Sequence, residues 1–541
     1  MIAPTAIRMV KKGAEASRFH DQETPAASKT CSRGARVLST IVLLILVYWN
    51  VYPVFWHTSQ PSSSYANLDS DWDFNVQTRT GAESFPCPGQ PNFECTNVIV
   101  PKDYLNASAG TSTVAIARLR ATAKTSKGTI FLGAGGPGGS GVRMALNGFA
   151  EALSAIVNGA FDIVGFDGRG IHLSRPVVQC FPSQFARQTF GLGTILDRGF
   201  ELPPNPESAE GRAHILQQWG AWRAFYAAQY QICGKKYGEE LKYMGTSTVV
   251  RDIAHIADIF DGRGSPLNFW GGSYGTIVGA YLVGMFPERA GRVVIDGVVD
   301  PNMWGNVPTH KWLQILMTDS ENTYEWIIKA CVEAGPSACP LTKENGTASN
   351  IAERLDDYLN KLYYNPLPIT NHSRPGILTS GQARASLFQA VASPSAWPQI
   401  ARLFAQALDG DPTPLYDLRT RVLELPPRAN EMGDLSRSAV SCADAYVTKD
   451  GANPEELTAT TLELLKLTPR FALTVPSTEP DGACEFWPTQ GREPERFAGP
   501  WKDTLASPML VVSPLSDPVT PLSAARTVHS LMPNSTRILI Q

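Results

Sequence analysis

Apolar and polar positions change rhythm several times along the chain. "TSTVAIARLRA" alternates, as an early antiparallel strand does, with successive side chains on opposite faces. "KGTIFLGA" and "FDIVGFD" are instead short unbroken apolar runs ending in glycine or acid, the pattern of strands buried on both faces. Between those two runs, "GVRMALNGFAEALSAIVNG" has the spacing of an amphipathic helix. A helical stretch at 210–236, the run "LNFWGGS", a helix at 276–287 and "GRVVIDGVV" continue the series. This alternation predicts an α/β protein with a mostly parallel sheet and helices on both faces.

The rhythm stops near residue 303. Stretches such as "HKWLQILMTDSENTYEWIIKACVEA" and "NIAERLDDYLNKLYY" are helical, and "NPLPITNHSRP" breaks them. Residues 304–495 therefore read as an inserted, mainly helical lid between two parts of one core, 90–303 and 496–541. In the second part "SPMLVVSPLSDPVTP", a helix through 531 and a last strand in "TRILIQ" resume the earlier pattern.

Residues 37–56, "VLSTIVLLILVYWNVYPVFW", carry no charge and follow Arg33 and Arg36. Twenty helical residues rise about 30 Å, the thickness of a bilayer core, so this run is expected to be a transmembrane anchor. The positive flank puts residues 1–36 in the cytosol as a tail, and 57–89 form a linker. That topology makes a single-pass membrane protein with its body on the lumenal or extracellular side; a secreted protein with a cleaved leader is the alternative.

Net charge is −3, with no long basic run, which argues against a nucleic-acid partner. Beyond the apolar run lie Cys87, Cys95, Cys180, Cys233, Cys331, Cys339, Cys442 and Cys484, an even set compatible with four disulfides. Short separations favour Cys87 with Cys95 and Cys331 with Cys339, leaving Cys180 with Cys233 and Cys442 with Cys484 as weaker assignments. Glycosylation sequons stand at Asn106, Asn345, Asn371 and Asn534.

The chemistry concentrates in three stretches. Ser273 lies in G-x-S-x-G between an apolar run and a helical one, the context in which a sharp strand-to-helix turn exposes a serine oxygen. "GAGGPGGSG", residues 133–141, offers uncovered backbone N–H groups that can face a developing oxyanion, with Gly136 and Tyr274 the expected donors. A phosphate loop is the competing use of such glycines, but no lysine follows at Walker spacing. Asp517, just beyond the apolar "MLVVS", has the chain order of a Ser, Asp, His triad. No metal-binding spacing is found, and no cofactor is expected.

Together these motifs, with "DIVGFDGRG", "LNFWGGSYGTIVGAYLVGMFPERAGRVVIDGVVDP" and "RFAGPW", resemble the α/β-hydrolase family of prolyl and tripeptidyl aminopeptidases, including its TAP-like C-terminal segment, over roughly residues 90 to 541. The resemblance implies an α/β-hydrolase fold, Ser273 as nucleophile, Asp517 as triad acid, and Gly136 with Tyr274 as the oxyanion hole. It implies release of N-terminal residues or short peptides, with acidic groups of the lid receiving the free amine; Asp319, Glu321, Asp444 and Glu485 are candidates. The chain departs from the family at Gly133 and Ala134, where Asn-Pro or a histidine is usual, and at His172, where glycine is usual. The family's histidine follows the last strand, whereas this sequence ends at Gln541. His529 falls inside a helix; His172 is the possible surrogate base or pocket residue. Three readings follow: a serine peptidase whose C-terminal part is truncated in this sequence, the same fold acting on an ester, lactone or thioester, and a non-catalytic hydrolase-like protein. The partners expected are a peptide or small acyl substrate, and a membrane through the one N-terminal helix.

Overall fold

The structure is a computed structural model that describes residues 68–541 apart from 421–433, 449–450, 475 and 477–481. Its strands are β1 (Gln77–Thr78), β2 (Phe85–Cys87), β3 (Gln90–Pro101), β4 (Thr111–Leu119), β5 (Thr129–Gly133), β6 (Asp162–Phe166), β7 (Leu267–Ser273), β8 (Ala290–Val298), β9 (Leu367–Ile369), β10 (Gly376–Leu378), β11 (Met509–Ser513) and β12 (Thr536–Ile540). Among the described residues, ten strands form one sheet in the order β1-β3-β4-β6-β5-β7-β8-β11-β12, with β2 alongside β3. Pairing is antiparallel from β3 through β4 to β6, and parallel across β6, β5, β7, β8, β11 and β12. This is the mostly parallel sheet of an α/β-hydrolase.

Side-chain period explains how the sheet is covered. β5 and β6 are buried at every residue, as unbroken apolar runs require. On β4 the alternation is between two cores rather than between core and water. Val114 and Ile116 join one apolar cluster, whereas Ala115 and Ala117 join another beneath Val142, Ala145 and Phe149. The small alanines let the helical stretch 141–156 lie close to that face. That stretch is not one continuous helix, because Asn147 and Gly148 leave helical backbone angles and Gly148 takes φ 94°.

On the sheet's other face lie α2 (Thr246–Asp261) and α3 (Tyr274–Met285), preceded in the chain by α1 (Ala209–Tyr237). Ile253, Ile256, Ile277 and Val278 of α2 and α3 pack with Phe131 and Phe269. Burying each such side chain contributes about 2 kcal/mol. An ion pair ties α2 to the strand ends: the fully buried guanidinium of Arg169 donates from Nε and Nη2 to Asp252, both at 2.8 Å. Arg169 also donates to the carbonyls of Pro101 and Lys102, and Tyr104 donates to Asp252.

Between β8 and β11 the chain is mainly helical, with α4 (Ser320–Ala334), α5 (Ala348–Tyr364), α6 (Ser380–Val391), α7 (Trp397–Leu408) and α8 (Ser436–Asp444). β9 and β10 add a short antiparallel hairpin that the helical periodicity did not predict. Tyr324, Leu355, Phe388 and Phe404 form a core of their own within this segment. α9 (Leu522–Leu531) then crosses between the parallel strands β11 and β12. Disulfides join Cys87 to Cys95, Cys180 to Cys233, Cys331 to Cys339 and Cys442 to Cys484, chemistry that belongs to an oxidising compartment.

The single-pass membrane localisation expected above is corrected. Among the described residues no helix is long and apolar enough to cross a membrane. The longest, α1, carries Glu210, Arg212, Arg223, Lys235 and Lys236 along its length, and the apolar α3 has only 12 residues. A crossing needs about 20 consecutive apolar residues. Residues 37–56, on which the anchor rested, lie outside the described residues, and the membrane partner is withdrawn with it.

Candidate active site

β7 ends on Ser273, and α3 begins at the next residue. Ser273 holds φ 53° and ψ −124°, a left-handed setting that a side chain with a Cβ rarely adopts. The neighbouring register also slips: Gly272 faces Asp296, but Ser273 faces Val298. The turn is built by contact with the glycine loop. A Cβ on Gly275 would lie 2.2 Å from the carbonyl oxygen of Gly133, so only glycine lets α3 approach β5 this closely. A Cβ on Gly135 would stand 3.2 Å from that of Ser273 and 3.6 Å from its Oγ. The glycine loop is therefore folded against the serine, with Gly136 next in sequence at φ 120°.

Tyr274 opens α3, so its backbone N–H has no partner one turn earlier within the helix. Its side chain is buried against Trp304, with ring centroids 5.5 Å apart. The phenol meets Thr246 Oγ1 at 2.8 Å, and burial pushes its pKa well up.

Asp517 follows β11 and is buried. Its Oδ1 accepts from the backbone N–H of Val519 at 2.9 Å and of Thr520 at 2.7 Å, while Oδ2 accepts from Thr520 Oγ1 at 2.9 Å. Burial raises its pKa against the opposing pull of those hydrogen bonds. Asp296, two residues before the end of β8, is pushed up to about 6 by burial first and by the charge of Asp517 second. Sequence reading passed over Asp296 because it sat inside an ordinary strand pattern.

Among the described residues no histidine is hydrogen-bonded to Ser273 or Asp517. His172 Nδ1 lies 3.2 Å from Asp167 Oδ2, and Asp167 also accepts from Ser140 Oγ at 2.6 Å at the far end of the glycine loop. His529 Nδ1 meets Thr536 Oγ1 at 2.7 Å. His214 pairs with Tyr363, His310 with Glu456 and His372 with Asp417. No group of His, Cys, Asp and Glu among the described residues could hold a metal ion.

The four acidic candidates are scattered. Glu321 is ion-paired to Arg470 at 2.8 Å, and Glu485 lies 4.0 Å from Arg223. Asp444 is fully buried, with its oxygens taken by Thr246 N at 2.9 Å, Thr246 Oγ1 and Trp304 Nε1 at 2.9 Å. Asp319 stands just before α4 and lines a cavity of about 540 Å³ with Leu515, Ser523 and Arg526, near enough to raise the pKa of Asp517. Glu493, which no sequence signal singled out, sits beside Asp444: a Cβ on Gly245 would meet Glu493 Oε2 at 2.8 Å and Asp444 Oδ1 at 2.9 Å. Burial puts Asp444 at about 6, and burial first with the charge of Asp444 contributing puts Glu493 at about 7. The sequon residues Asn106, Asn345, Asn371 and Asn534 are all exposed.

A family model described as TAP-like protein matches residues 474–541. Serine protease Hip1 of Mycobacterium tuberculosis is 28% identical over 450 residues, 80% of this chain and 77% of that protein. Tripeptidyl aminopeptidase of Streptomyces coelicolor is 26% identical over 361 residues, 65% of this chain and 60% of that protein. The chain is similar to serine peptidases of the α/β-hydrolase family. The chain is also 24% identical over 431 residues to carboxylesterase B of Mycobacterium tuberculosis, covering 79% of the chain and 76% of that protein.

Proposed function

We propose that the protein is a serine hydrolase that releases N-terminal residues or short peptides from peptide substrates through an acyl-enzyme. The observation that carries this reading is Ser273 on a left-handed strand-to-helix turn with the glycine loop folded against it. Similarity to a serine protease and a tripeptidyl aminopeptidase supports the substrate class.

In this mechanism Ser273 Oγ attacks the scissile carbonyl carbon, and its proton passes to a base and then to the departing amine. The backbone N–H groups of Tyr274 and Gly136 stabilise the oxyanion, worth about 10²–10³ in rate for one donor. Asp517 orients the base and stabilises the positive charge it gains. Water then attacks the acyl carbon, and Ser273 recovers its proton. The helical segment 304–495 serves as a lid over this site. Of its acidic candidates Asp319 is the proposed acceptor of the substrate's ammonium, because it lines an open cavity and has no ion-pair partner among the described residues. The exposed sequon residues are the proposed N-glycan sites, read out as a mass shift on enzymatic deglycosylation.

An ester, lactone or thioester substrate is the second reading. It is favoured by the absence, among the described residues, of a histidine hydrogen-bonded to Ser273, since such leaving groups need less protonation than an amide. The deciding experiment is labelling with a fluorophosphonate, followed by turnover of free-amine peptidyl amides against acyl esters, with Ser273→Ala as control. Faster amide turnover supports the peptidase reading. Ester turnover alone supports the second. No labelling and no turnover overturn both.

A further inference from the structure

We infer that helix α8 is a strut that fixes both walls of the oxyanion hole, with Asp444 and Thr246 acting as positioning residues for Tyr274. The inference rests on the acyl-transfer reading above and adds residues to it that lie outside the nucleophile, the acid and the glycine loop.

The two ends of α8 reach the two sides of the site. At its start, the backbone of Arg437 lies against the glycine loop: a Cβ on Gly138 would meet Arg437 N at 3.2 Å and its Cα at 3.4 Å. Ser436 Oγ donates to the carbonyl of Gly170 at 2.6 Å, which ties the same turn to the loop after β6. At its end, Asp444 accepts from Thr246 Oγ1, and that hydroxyl meets the phenol of Tyr274 at 2.8 Å. One helix of nine residues thus touches the loop that holds Gly136 and, through one hydroxyl, the residue that follows Ser273.

Proton counting gives the chain of bonds a direction. A threonine hydroxyl has one proton, and an ionised carboxylate only accepts. Thr246 therefore donates to Asp444, and the Tyr274 hydroxyl must donate to Thr246. Trp304 closes the arrangement, giving its Nε1 proton to the same carboxylate while its ring lies against Tyr274. All four residues are buried, so water is a poor substitute for any of these partners. Losing one link frees the tyrosine ring, and with it the first turn of α3, whose N–H must hold its direction to meet an oxyanion.

Thr246→Val removes the bridging hydroxyl at nearly constant volume, Tyr274→Phe removes the other partner, and Thr246→Ser keeps the bond. The full chain and each variant are titrated with a fluorophosphonate, then assayed on acyl esters and free-amine peptidyl amides, with melting curves recorded alongside. Thr246→Val and Tyr274→Phe are each expected to lower kcat per labelled site about tenfold, with KM within about twofold. The double variant is expected to lose no more than either single one, because both break the same link, and Thr246→Ser is expected to retain wild-type kcat. Unchanged kcat in both single variants, or losses that multiply in the double variant, overturn the inference while leaving the hydrolase reading intact. Should Thr246→Val fail to fold, Tyr274→Phe decides alone, since it leaves Thr246 bonded to Asp444. Absence of both labelling and turnover in the unmodified chain overturns the hydrolase reading, and the strut falls with it.

Discussion

Asp296 near the end of β8 and Asp517 in the loop after the neighbouring strand β11 are electrostatically coupled, and the charge on Asp517 helps to keep a proton on Asp296. Burial is the larger cause, and together they raise Asp296 from 3.8 to about 6. Glu493 is raised from 4.5 to about 7 in the same way, with burial first and the charge of Asp444 contributing. Over the interval from about 4 to about 7 the folded chain holds protons that the unfolded chain has released, so these groups make stability fall as pH rises. His214 and His310, whose rings burial pushes down, work in the opposite sense. Comparison with variants isolates the carboxyls: Asp296→Asn and Glu493→Gln should melt higher than wild type at pH 8 and show little or none of that gain at pH 4. A gain equal at both pH values rules the linkage out.

The backbone of Ser273 carries strain that glycine would relieve. Ser273→Gly is expected to raise the melting temperature slightly, corresponding to about 1 kcal/mol, while abolishing fluorophosphonate labelling. Ser273→Ala should abolish labelling without that gain. A Ser273→Gly protein that melts lower than Ser273→Ala contradicts this account.

Arg169 and Asp252 are a buried pair with almost no exposure. Removing one partner strands the other charge away from water, which costs about 3–5 kcal/mol. Arg169→Met should therefore lose much of its soluble yield and melt well below wild type. Arg169→Met combined with Asp252→Leu should recover part of the loss, and melting curves of the four proteins in the cycle measure the coupling.

Cys442 lies on α8 two residues before Asp444, and its disulfide to Cys484 spans 42 residues. Loop closure of that size contributes about 3–4 kcal/mol by constraining the unfolded chain. The variant with both cysteines replaced by alanine should melt lower. It should also label more slowly at a temperature where it is fully folded, because the far end of α8 is less firmly held. Labelling at the wild-type rate would separate the disulfide from the site.

The parallel sheet was legible because unbroken apolar runs and helical spacing are local signals. The turn at Ser273 was legible for the same reason: strand, glycines and helix all lie within a dozen residues. The hairpin of β9 and β10 was missed, since Pro368 and the Asn371 to Pro375 stretch read as a break in helices. The neighbours of Tyr274 could not be read at all. Thr246 meets Asp444 across 198 residues and Trp304 meets it across 140, and each is an unremarkable residue in its own stretch. Asp444 drew notice as an acid that could greet an amine, yet its oxygens face three donors inside the protein. Glu493 gave no signal, because only folding brings it beside Gly245.

β8 finds its neighbour β11 only after roughly 200 residues of intervening chain have been made, a long loop whose closure slows folding more than it weakens the product. During synthesis the strand that ends in Ser273 emerges more than 200 residues before the strand that precedes Asp517. The helical segment, which has a core of its own, lies between the two strands in the chain. A chain caught midway holds Ser273 on its turn while Asp517, beyond β11, has still to be brought to it, so whatever the two do together waits for β11 to pair with β8.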